Sequence, residues 1–395
     1  MKTDPKAIYR THTLLFAAGL VLVSATKLRL AASVGIGEAI LLTLAIWVLY
    51  KKIVQKKLLI DRKSYTFGVF VLVSAVALTM GTVTSMLLGV WQRSLFLHDG
   101  LALGFTFVCV FLNWSQVQDQ GQTPFFSATL VCLFGCFSLV YVLLYLLSFQ
   151  TDVLDELVYD EFRWRFVGLS QNPNQIALYL CCLPFLTLYQ KYPLLKPSVA
   201  VLLKSALLLC VWQLGRLTQS DALYLAWQTG TVAGGLCWYY HSESATFKWP
   251  LKSALIATTI LASYGTWAAY LQEKYDHDQQ GWERLTRWQF GLKAWGQSVL
   301  WGFGPGSFSG THGAFEGEEA HNSFIDWADA TGALGLGSLC FFVFMVLQKC
   351  WRQPILWAAA VALLVFSWFH YALRQPIFWV YLLLFWSIRH PVRKL

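Results

Sequence analysis

The stretch FSATLVCLFGCFSLVYVLLYLLSF, residues 126–149, contains no charged side chain. About 20 apolar residues in a helix cross the roughly 30 Å hydrocarbon core of a bilayer. Inside hydrocarbon every backbone N–H and C=O needs a partner, and a helix supplies those partners within its own segment. This stretch therefore predicts a membrane-spanning helix.

Similar apolar runs recur from one end of the chain to the other. The whole chain is 56% hydrophobic and only 13% charged, whereas soluble proteins carry about 25% charged residues. We therefore predict an all-α, polytopic membrane protein of about 12 transmembrane helices, forming a single integral membrane domain over residues 1–395. The predicted spans are 12–26, 32–50, 66–90, 99–114, 126–149, 174–190, 197–213, 222–240, 253–271, 331–348, 355–371 and 376–388.

The distribution of positive charge predicts the orientation of the chain. The net charge of +9 would also suit a nucleic-acid-binding protein, but the positive residues lie in short loops between the apolar runs. Loops rich in Lys and Arg stay in the cytoplasm. With twelve spans and a cytoplasmic N-terminus, one face holds Lys51, Lys52, Lys56, Lys57, Arg62, Lys63, Lys191, Lys196, Lys248, Lys252, Lys349, Arg352 and the tail Arg389, Arg393 and Lys394.

The longest loop, residues 272–330, falls on the opposite, extracytoplasmic face. Leu285, Trp288 and Leu292 recur at steps of three and four, which predicts an amphipathic helix with Arg284 and Arg287 beside its apolar stripe. Connections of this length are usually functional. An interfacial helix followed by an ordinary glycine turn is the simpler interpretation, because a single G-x-G-x-G pattern is weak evidence for a binding site.

Two further segments of this loop suggest a site. Glycines at 302, 304 and 306 form a turn in which the backbone can approach a ligand closely. After an acidic stretch comes His321, followed by Asn322 and Ser323, either of which can cap the next helix. His321 is thus expected at the extracytoplasmic mouth of the tenth span.

Other arginines are predicted on the same face, where the positive-inside rule disfavours them. Arg163 and Arg165 precede the sixth span, Arg216 follows the seventh, and Arg374 lies between the last two. Each one alone could be an anchor at the membrane interface. Together they predict a site for an anionic, diphosphate ligand, because the guanidinium group is a planar, permanently charged fork that suits phosphate.

At three segments the chain resembles the O-antigen ligase and O-antigen polymerase superfamily, which are integral membrane glycosyltransferases of GT-C-like type. The first segment is Arg165-Phe166-Val167-Gly168 with Asn172-Pro173-Asn174. The second is Arg284 to Trp288 with the glycine turn 302–308. The third is His321-Asn322 with Gly332 and Gly335. The matching spacing covers roughly the last 230 residues, and the predicted twelve spans and one long outer loop agree with it.

The resemblance implies an activity and a location. Such enzymes transfer a glycan from an undecaprenyl-diphosphate carrier to an acceptor, which is the lipid A–core of lipopolysaccharide for the ligases and another carrier-linked repeat for the polymerases. The chain would lie in the bacterial inner membrane with its active site facing the periplasm, and the loop 272–330 would carry part of that site.

Matched by position, His321 corresponds to the essential histidine of the superfamily and Arg284 to the arginine that opens the surface helix. The superfamily often has Ser-Arg where this chain has Ser220-Asp221, and we expect Arg216, five residues earlier, to replace that arginine. The predicted site has His321 as catalytic residue, donor diphosphate-binding residues Arg165, Arg216, Arg284 and Arg287, and supporting residues Asn322, Gly304, Gly306, Arg163 and Arg374.

The chemistry suits these residue types. Diphosphate is a good leaving group, so charge stabilisation by arginine matters more than a general acid. A histidine titrates near neutral pH and is suited to take the proton from an acceptor hydroxyl. Attack opposite the leaving diphosphate inverts the anomeric centre. The sequence contains no H-E-x-x-H motif, and we predict neither a metal nor a cofactor.

Two alternatives remain open. A polymerase of the same superfamily would use the same donor, but a compact chain with a single large outer loop favours the ligase. A transporter of lipid-linked sugars would bury its ionisable groups near the middle of the membrane. Here only Lys204 and Glu38 are embedded in apolar runs, so transport is the less favoured hypothesis.

Overall fold

The computed structural model describes residues 5–31, 34–56, 65–150, 155, 158–159, 165–192, 195–241, 279–306 and 318–387. These residues form twelve helices and one two-stranded antiparallel ribbon. The ribbon consists of β1 (Arg29–Ala31) and β2 (Val34–Gly35). The helices are α1 (Pro5–Val23), α2 (Ile36–Val54), α3 (Tyr65–Leu87), α4 (Arg93–Asp119), α5 (Thr123–Ser148), α6 (Pro173–Tyr189), α7 (Pro197–Thr218), α8 (Asp221–His241), α9 (Gln279–Gln297), α10 (Ser323–Cys350), α11 (Pro354–Trp368) and α12 (Pro376–Ser387).

The all-α prediction is confirmed, and each predicted span that lies within the described residues overlaps a helix, with ends that differ by several residues. The predicted span 253–271 lies outside them, so the number of spans stays a prediction. Among the helices that the structure describes, five are long and apolar enough to cross a membrane, which indicates a membrane protein. They are Tyr65–Leu87, Arg93–Asp119, Thr123–Ser148, Pro197–Thr218 and Ser323–Cys350.

The chain divides into two compact units. That the chain is a single integral membrane domain stays a prediction. The first unit comprises Met1–Lys63, Val108–Tyr224 and Pro376–Leu395. In it α1 packs on α2 and α5, and α5 also contacts α6, α7 and α12. A Cβ atom on Gly37 would lie 2.2 Å from the Val23 nitrogen, so glycine permits the close approach of α1 and α2. The Tyr381 hydroxyl of α12 donates to the Tyr179 carbonyl of α6 at 2.7 Å.

The second unit comprises Ser64–Phe107 and Leu225–Gln375, and α10 is its central helix. Helices α3, α9 and α11 all pack against α10. Phe70 of α3 stacks on Phe342 of α10, with ring centroids 5.4 Å apart. Phe107 meets Trp327 edge to face at 6.2 Å. The core of this unit is therefore built of large aromatic side chains around α10.

Helix α9 confirms the predicted helix in the loop, but its packing differs from a simple apolar stripe. Leu285 and Leu292 remain exposed, at 50% and 51%. The positions buried against α10 are the small residues Gly291 and Ala294. A Cβ atom on Gly291 would lie 2.5 Å from Cγ2 of Ile325, so glycine is needed for this close contact.

Helix α10 is broken at Gly332, where the backbone has φ 62° and ψ −165°. The break interrupts the helical hydrogen bonds, and the glycine turn of residues 302–306 supplies replacements. The amides of Phe303 and Gly304 donate to the carbonyls of Asp329 and Ala330 at 2.7 Å and 2.9 Å. The glycine turn is thus attached to α10 by two consecutive backbone hydrogen bonds.

We predict opposite effects for alanine at two glycines of α10. Gly332→Ala should lower the free energy of unfolding by at least about 2 kcal/mol, because this backbone conformation is nearly exclusive to glycine and the new Cβ would lie 2.2 Å from the Leu300 carbonyl oxygen. Gly337→Ala is the matched control: nothing lies within 4 Å, and alanine in a helix is favoured by roughly 0.5–1 kcal/mol.

The measurement is the thermal unfolding midpoint of each purified variant in detergent. Gly332→Ala should unfold at lower temperature than the unmodified chain, and Gly337→Ala at an equal or higher one. Equal midpoints for the two variants would contradict the broken-helix account.

Candidate functional site

His321 occupies a left-handed turn immediately before α10, with φ 57°. This conformation costs a residue with a Cβ atom roughly 1–2 kcal/mol, and such strain clusters at functional sites. The Asp326 carboxylate holds the turn from both sides. It accepts from the amide of Ala320 at 2.8 Å and from the amide of Asn322 at 3.0 Å.

The two residues after His321 fix the start of α10. The Asn322 side chain accepts from the amides of Phe324 and Ile325 at 3.0 Å and 3.2 Å, so the predicted helix cap is confirmed. The Ser323 hydroxyl donates to the His370 carbonyl at 2.6 Å and accepts from the Ala372 amide at 2.8 Å. The loop between α11 and α12 is thereby tied to the His321 turn.

That loop contributes Arg374, whose guanidinium joins a buried ion cluster. It contacts Asp99 of α4 at 2.5 Å and also pairs with Glu319. The Asp99 side chain is only 4% exposed and also lies 3.1 Å from Nδ1 of His98. The second oxygen of Glu319 lies 3.9 Å from Nδ1 of His321. A continuous series of charged groups therefore leads from α4 to His321.

The His321 ring has an unusual environment. Its side chain is 44% exposed, yet its Nδ1 atom is buried and lacks a hydrogen-bond partner among the described residues. Burial is the largest cause that lowers the pKa of His321, and together with the positive charges of Arg287, Arg284 and Arg374 it brings this pKa to about 4. The expectation that this histidine titrates near neutral pH is therefore wrong. At neutral pH it is an uncharged base.

Glu319 is affected in the opposite direction. Burial raises the pKa of its carboxyl group, the Arg374 guanidinium lowers it, and the nearby Asp99 raises it again. The pairing with Arg374 nevertheless favours the ionised form, because a guanidinium stabilises a carboxylate.

Arg284 and Arg287, both half-buried on α9, bring positive charge to His321, as their effect on its pKa shows. Arg287 forms an ion pair with Glu318, whose side chain is 48% exposed. The structure thus brings Arg284, Arg287, Arg374 and His321 together in the second unit, but it also supplies carboxylates that the arginine-only prediction did not include.

Two further arginines of the predicted site are described, Arg165 and Arg216, and both belong to the first unit. Arg165 donates through Nε and Nη2 to the Thr218 carbonyl at 2.9 Å and 2.8 Å, which satisfies the end of α7. Arg216 is exposed and lies over the ring of Trp212, 5.1 Å from its centroid. The diphosphate-binding roles of both stay predictions, and Arg163 lies outside the described residues.

The glycine turn has a packing role that the sequence did not predict. A Cβ atom on Gly304 would lie 2.5 Å from the Thr82 hydroxyl of α3, and one on Gly306 would lie 2.4 Å from the Leu95 carbonyl carbon of α4. At both positions the close neighbour is the second unit's own chain. Close packing within the protein is therefore sufficient to explain why these residues are glycine.

The sequence patterns did not predict Asp99, Glu319 or Asp326 as site residues. The detectable signal was acidic residues at the ends of apolar runs, where ionisable groups are costly and often functional. Asp329, one turn beyond Asp326, is fully buried, and neither of its carboxylate oxygens has a hydrogen-bond partner in the described ranges.

The prediction that no metal is needed rests on ligand patterns. Within the part of the chain that the structure describes, no three His, Cys, Asp or Glu side chains converge to hold a metal ion. The sequence does contain one D-x-D pattern, Asp276-His277-Asp278, which lies outside the described residues. Aspartate pairs can bind divalent cations, so the prediction needs a test in the presence of a chelator.

No known protein-family model matches the sequence, and no curated protein is significantly similar to it.

The low pKa of His321 leads to a prediction about its reactivity. Diethyl pyrocarbonate modifies neutral imidazole, so the modification rate at His321 should stay high as pH falls from 7 to about 5 and should halve near pH 4. Peptide mass spectrometry after short exposures measures this rate, with a histidine-containing peptide as reference. A half-maximal rate near pH 6.5, the ordinary value for histidine, would contradict the proposed environment.

Proposed function

We propose that this chain is a membrane glycosyltransferase that transfers a glycan from an undecaprenyl-diphosphate carrier to a hydroxyl group of lipid A–core, as O-antigen ligases do. The observation that carries the proposal is His321, an uncharged base in a left-handed turn beside Arg284 and Arg287. Helix α10, which begins directly after this turn, is long and apolar enough to cross a membrane. This supports a site at a membrane, where a lipid-linked donor is available.

In the proposed reaction the acceptor hydroxyl gives its proton to His321. Its oxygen attacks the anomeric carbon of the donor sugar, and the bond from that carbon to the diphosphate oxygen breaks. The undecaprenyl diphosphate leaves with the electron pair, and the anomeric configuration inverts. A positioned general base contributes roughly 10²–10⁴-fold to the rate and is most effective when its pKa lies near the working pH. A diphosphate bound to Arg284 and Arg287 would offset two of the positive charges that lower the pKa of His321.

The arginines divide into two roles. Arg284 and Arg287 are the proposed diphosphate ligands, since both lie on α9 near His321. In the proposed complex Arg287 exchanges its partner Glu318 for the diphosphate. The Glu318 side chain is half-exposed, so water can solvate it after the exchange. Arg374 is paired with the carboxylates of Asp99 and Glu319, so its proposed role is to fix Glu319 and not to bind the diphosphate.

Two other functions are alternatives to the ligase: a polymerase, which would use the same site, and a transporter, which would not need it. A polymerase would perform the same chemistry on a carrier-linked acceptor. Deleting the gene distinguishes ligase from polymerase, because loss of a ligase leaves carrier-linked polymer unattached, whereas loss of a polymerase leaves single-repeat products.

The contact of Lys204 argues against transport. Its amine donates to the Leu188 carbonyl at 2.9 Å near the end of α6, so this charged group has a structural role.

The proposal is tested by comparing how substitutions at His321 and at Arg284 change turnover and carrier affinity. His321→Ala should lower turnover by roughly 10²–10⁴-fold and leave carrier affinity nearly unchanged, because a base acts mainly in the transition state. Arg284→Ala should weaken carrier binding as well as turnover. Arg284→Lys should recover only part of the loss, because lysine keeps the charge but not the planar fork.

Turnover and carrier affinity are measured for each variant in one reconstituted assay. Lys293→Ala is the matched control, since it removes a positive charge from an exposed position of the same helix and should change neither quantity. His321→Gln distinguishes a base from a structural residue. If it retains full activity, His321 is not the base.

A further inference from the structure

We infer that Glu319 is the positioning residue for His321, holding the proton on Nδ1 so that Nε2 is the basic atom. The inference rests on the proposed function, because it assigns a role within the same reaction. It extends that function by adding a residue to the site and by specifying which imidazole nitrogen accepts the proton.

The first support is the anchoring of the Glu319 carboxylate. One oxygen pairs with Arg374, and the other lies 3.9 Å from Nδ1 of His321. Arg374 is itself fixed, by Asp99 at its guanidinium and by Thr106, whose hydroxyl donates to the Arg374 carbonyl at 2.7 Å. The Glu319 side chain is only 19% exposed. The contacts of Arg374 therefore fix the Glu319 carboxylate with its second oxygen near His321.

The second support is the state of Nδ1 itself. This atom is buried and has no hydrogen-bond partner among the described residues, and an unsatisfied buried polar atom costs about 1–3 kcal/mol. The separation of 3.9 Å is about 1 Å longer than a hydrogen bond, and closing it would satisfy the atom. Catalytic hydrogen bonds are commonly long without substrate and shorten when substrate binds.

The third support is the balance of charge around the ring. Arg284 and Arg287 from α9 and Arg374 from the α11–α12 loop all oppose a positive imidazole. Glu318 is paired with Arg287, and Asp99, which also contacts His98, is paired with Arg374. Asp326 accepts from the two amides beside His321. Glu319 is thus the carboxylate that faces Nδ1 and can stabilise the imidazolium.

The proton balance follows from this geometry. The acceptor proton moves to Nε2, and the Nδ1–H bond to Glu319 is kept throughout. Glu319 does not itself take up the proton, and the imidazolium later releases its Nε2 proton to water. The Glu319 carboxylate acts in two ways. It selects the imidazole tautomer, because the partner of one ring nitrogen determines which nitrogen is protonated, and it stabilises the positive charge of the imidazolium.

The decisive experiment is NMR spectroscopy of ¹⁵N-histidine-labelled protein at pH 7, with His321→Gln used to assign the His321 signals. The unmodified chain should show His321 protonated at Nδ1, and Glu319→Ala should shift the proton to Nε2. Glu283→Gln, which neutralises an exposed carboxylate of α9, should leave the tautomer unchanged. If Glu319 is only the counterion of Arg374, its removal will not change the tautomer, and that result would overturn the inference.

A second variant covers the case in which Glu319→Ala does not fold. Glu319→Gln keeps the size of the side chain and an oxygen for Arg374, and it should lower kcat roughly 10-fold or more without changing carrier affinity. A kcat within two-fold of the unmodified value overturns the inference. A Glu319-dependent tautomer in a protein that transfers no glycan would support the pairing of Glu319 with His321 and reject the proposed function.

Discussion

A peptide group that loses its helical partner away from water must find another, because each unsatisfied group costs several kcal/mol in an apolar environment. Helix α10 creates such groups by breaking at Gly332, and the amides of Phe303 and Gly304 satisfy the carbonyls of Asp329 and Ala330, which lie just before the break. This requirement fixes the glycine turn to α10. Through the turn it also fixes α9, which directly precedes it, so the arginines of α9 and the start of α10 belong to one rigid arrangement.

The segment of α10 before the break makes the contacts that shape the candidate site. Asp326 holds the strained His321 turn, and Ser323 ties down the loop that carries Arg374. The result is a partly exposed imidazole beside three arginines, with Glu319 facing its buried nitrogen. Strain at His321 is tolerated because several independent hydrogen bonds determine the same conformation.

Much of the helical architecture could be predicted from sequence, because the length of an apolar run is a direct consequence of membrane thickness. The run 126–149 corresponds closely to α5, Thr123–Ser148. The start of α10 was predicted eight residues too late, at 331 instead of Ser323, because Asp326 and Asp329 interrupt the apolar pattern. The break at Gly332 could not be predicted, since it depends on a turn thirty residues earlier in the chain.

The candidate site was predictable only in part. His321 and its cap at Asn322 follow from local rules, because a capping side chain bonds to amides two and three residues away. The pairing of Arg374 with Asp99 and Glu319 joins residues far apart in sequence, and no local pattern encodes it. The low pKa of His321 has the same origin, as its causes are burial and arginines from two other segments.

The central claim is that this site breaks a glycosyl–diphosphate bond. NMR spectroscopy of the product tests it most directly, after purified protein has been incubated with an undecaprenyl-diphosphate-linked glycan and lipid A–core in excess chelator. The account predicts a new glycosidic bond of inverted anomeric configuration on the lipid A–core. A product with retained configuration, a requirement for added metal, or intact donor that has only crossed the membrane would contradict it.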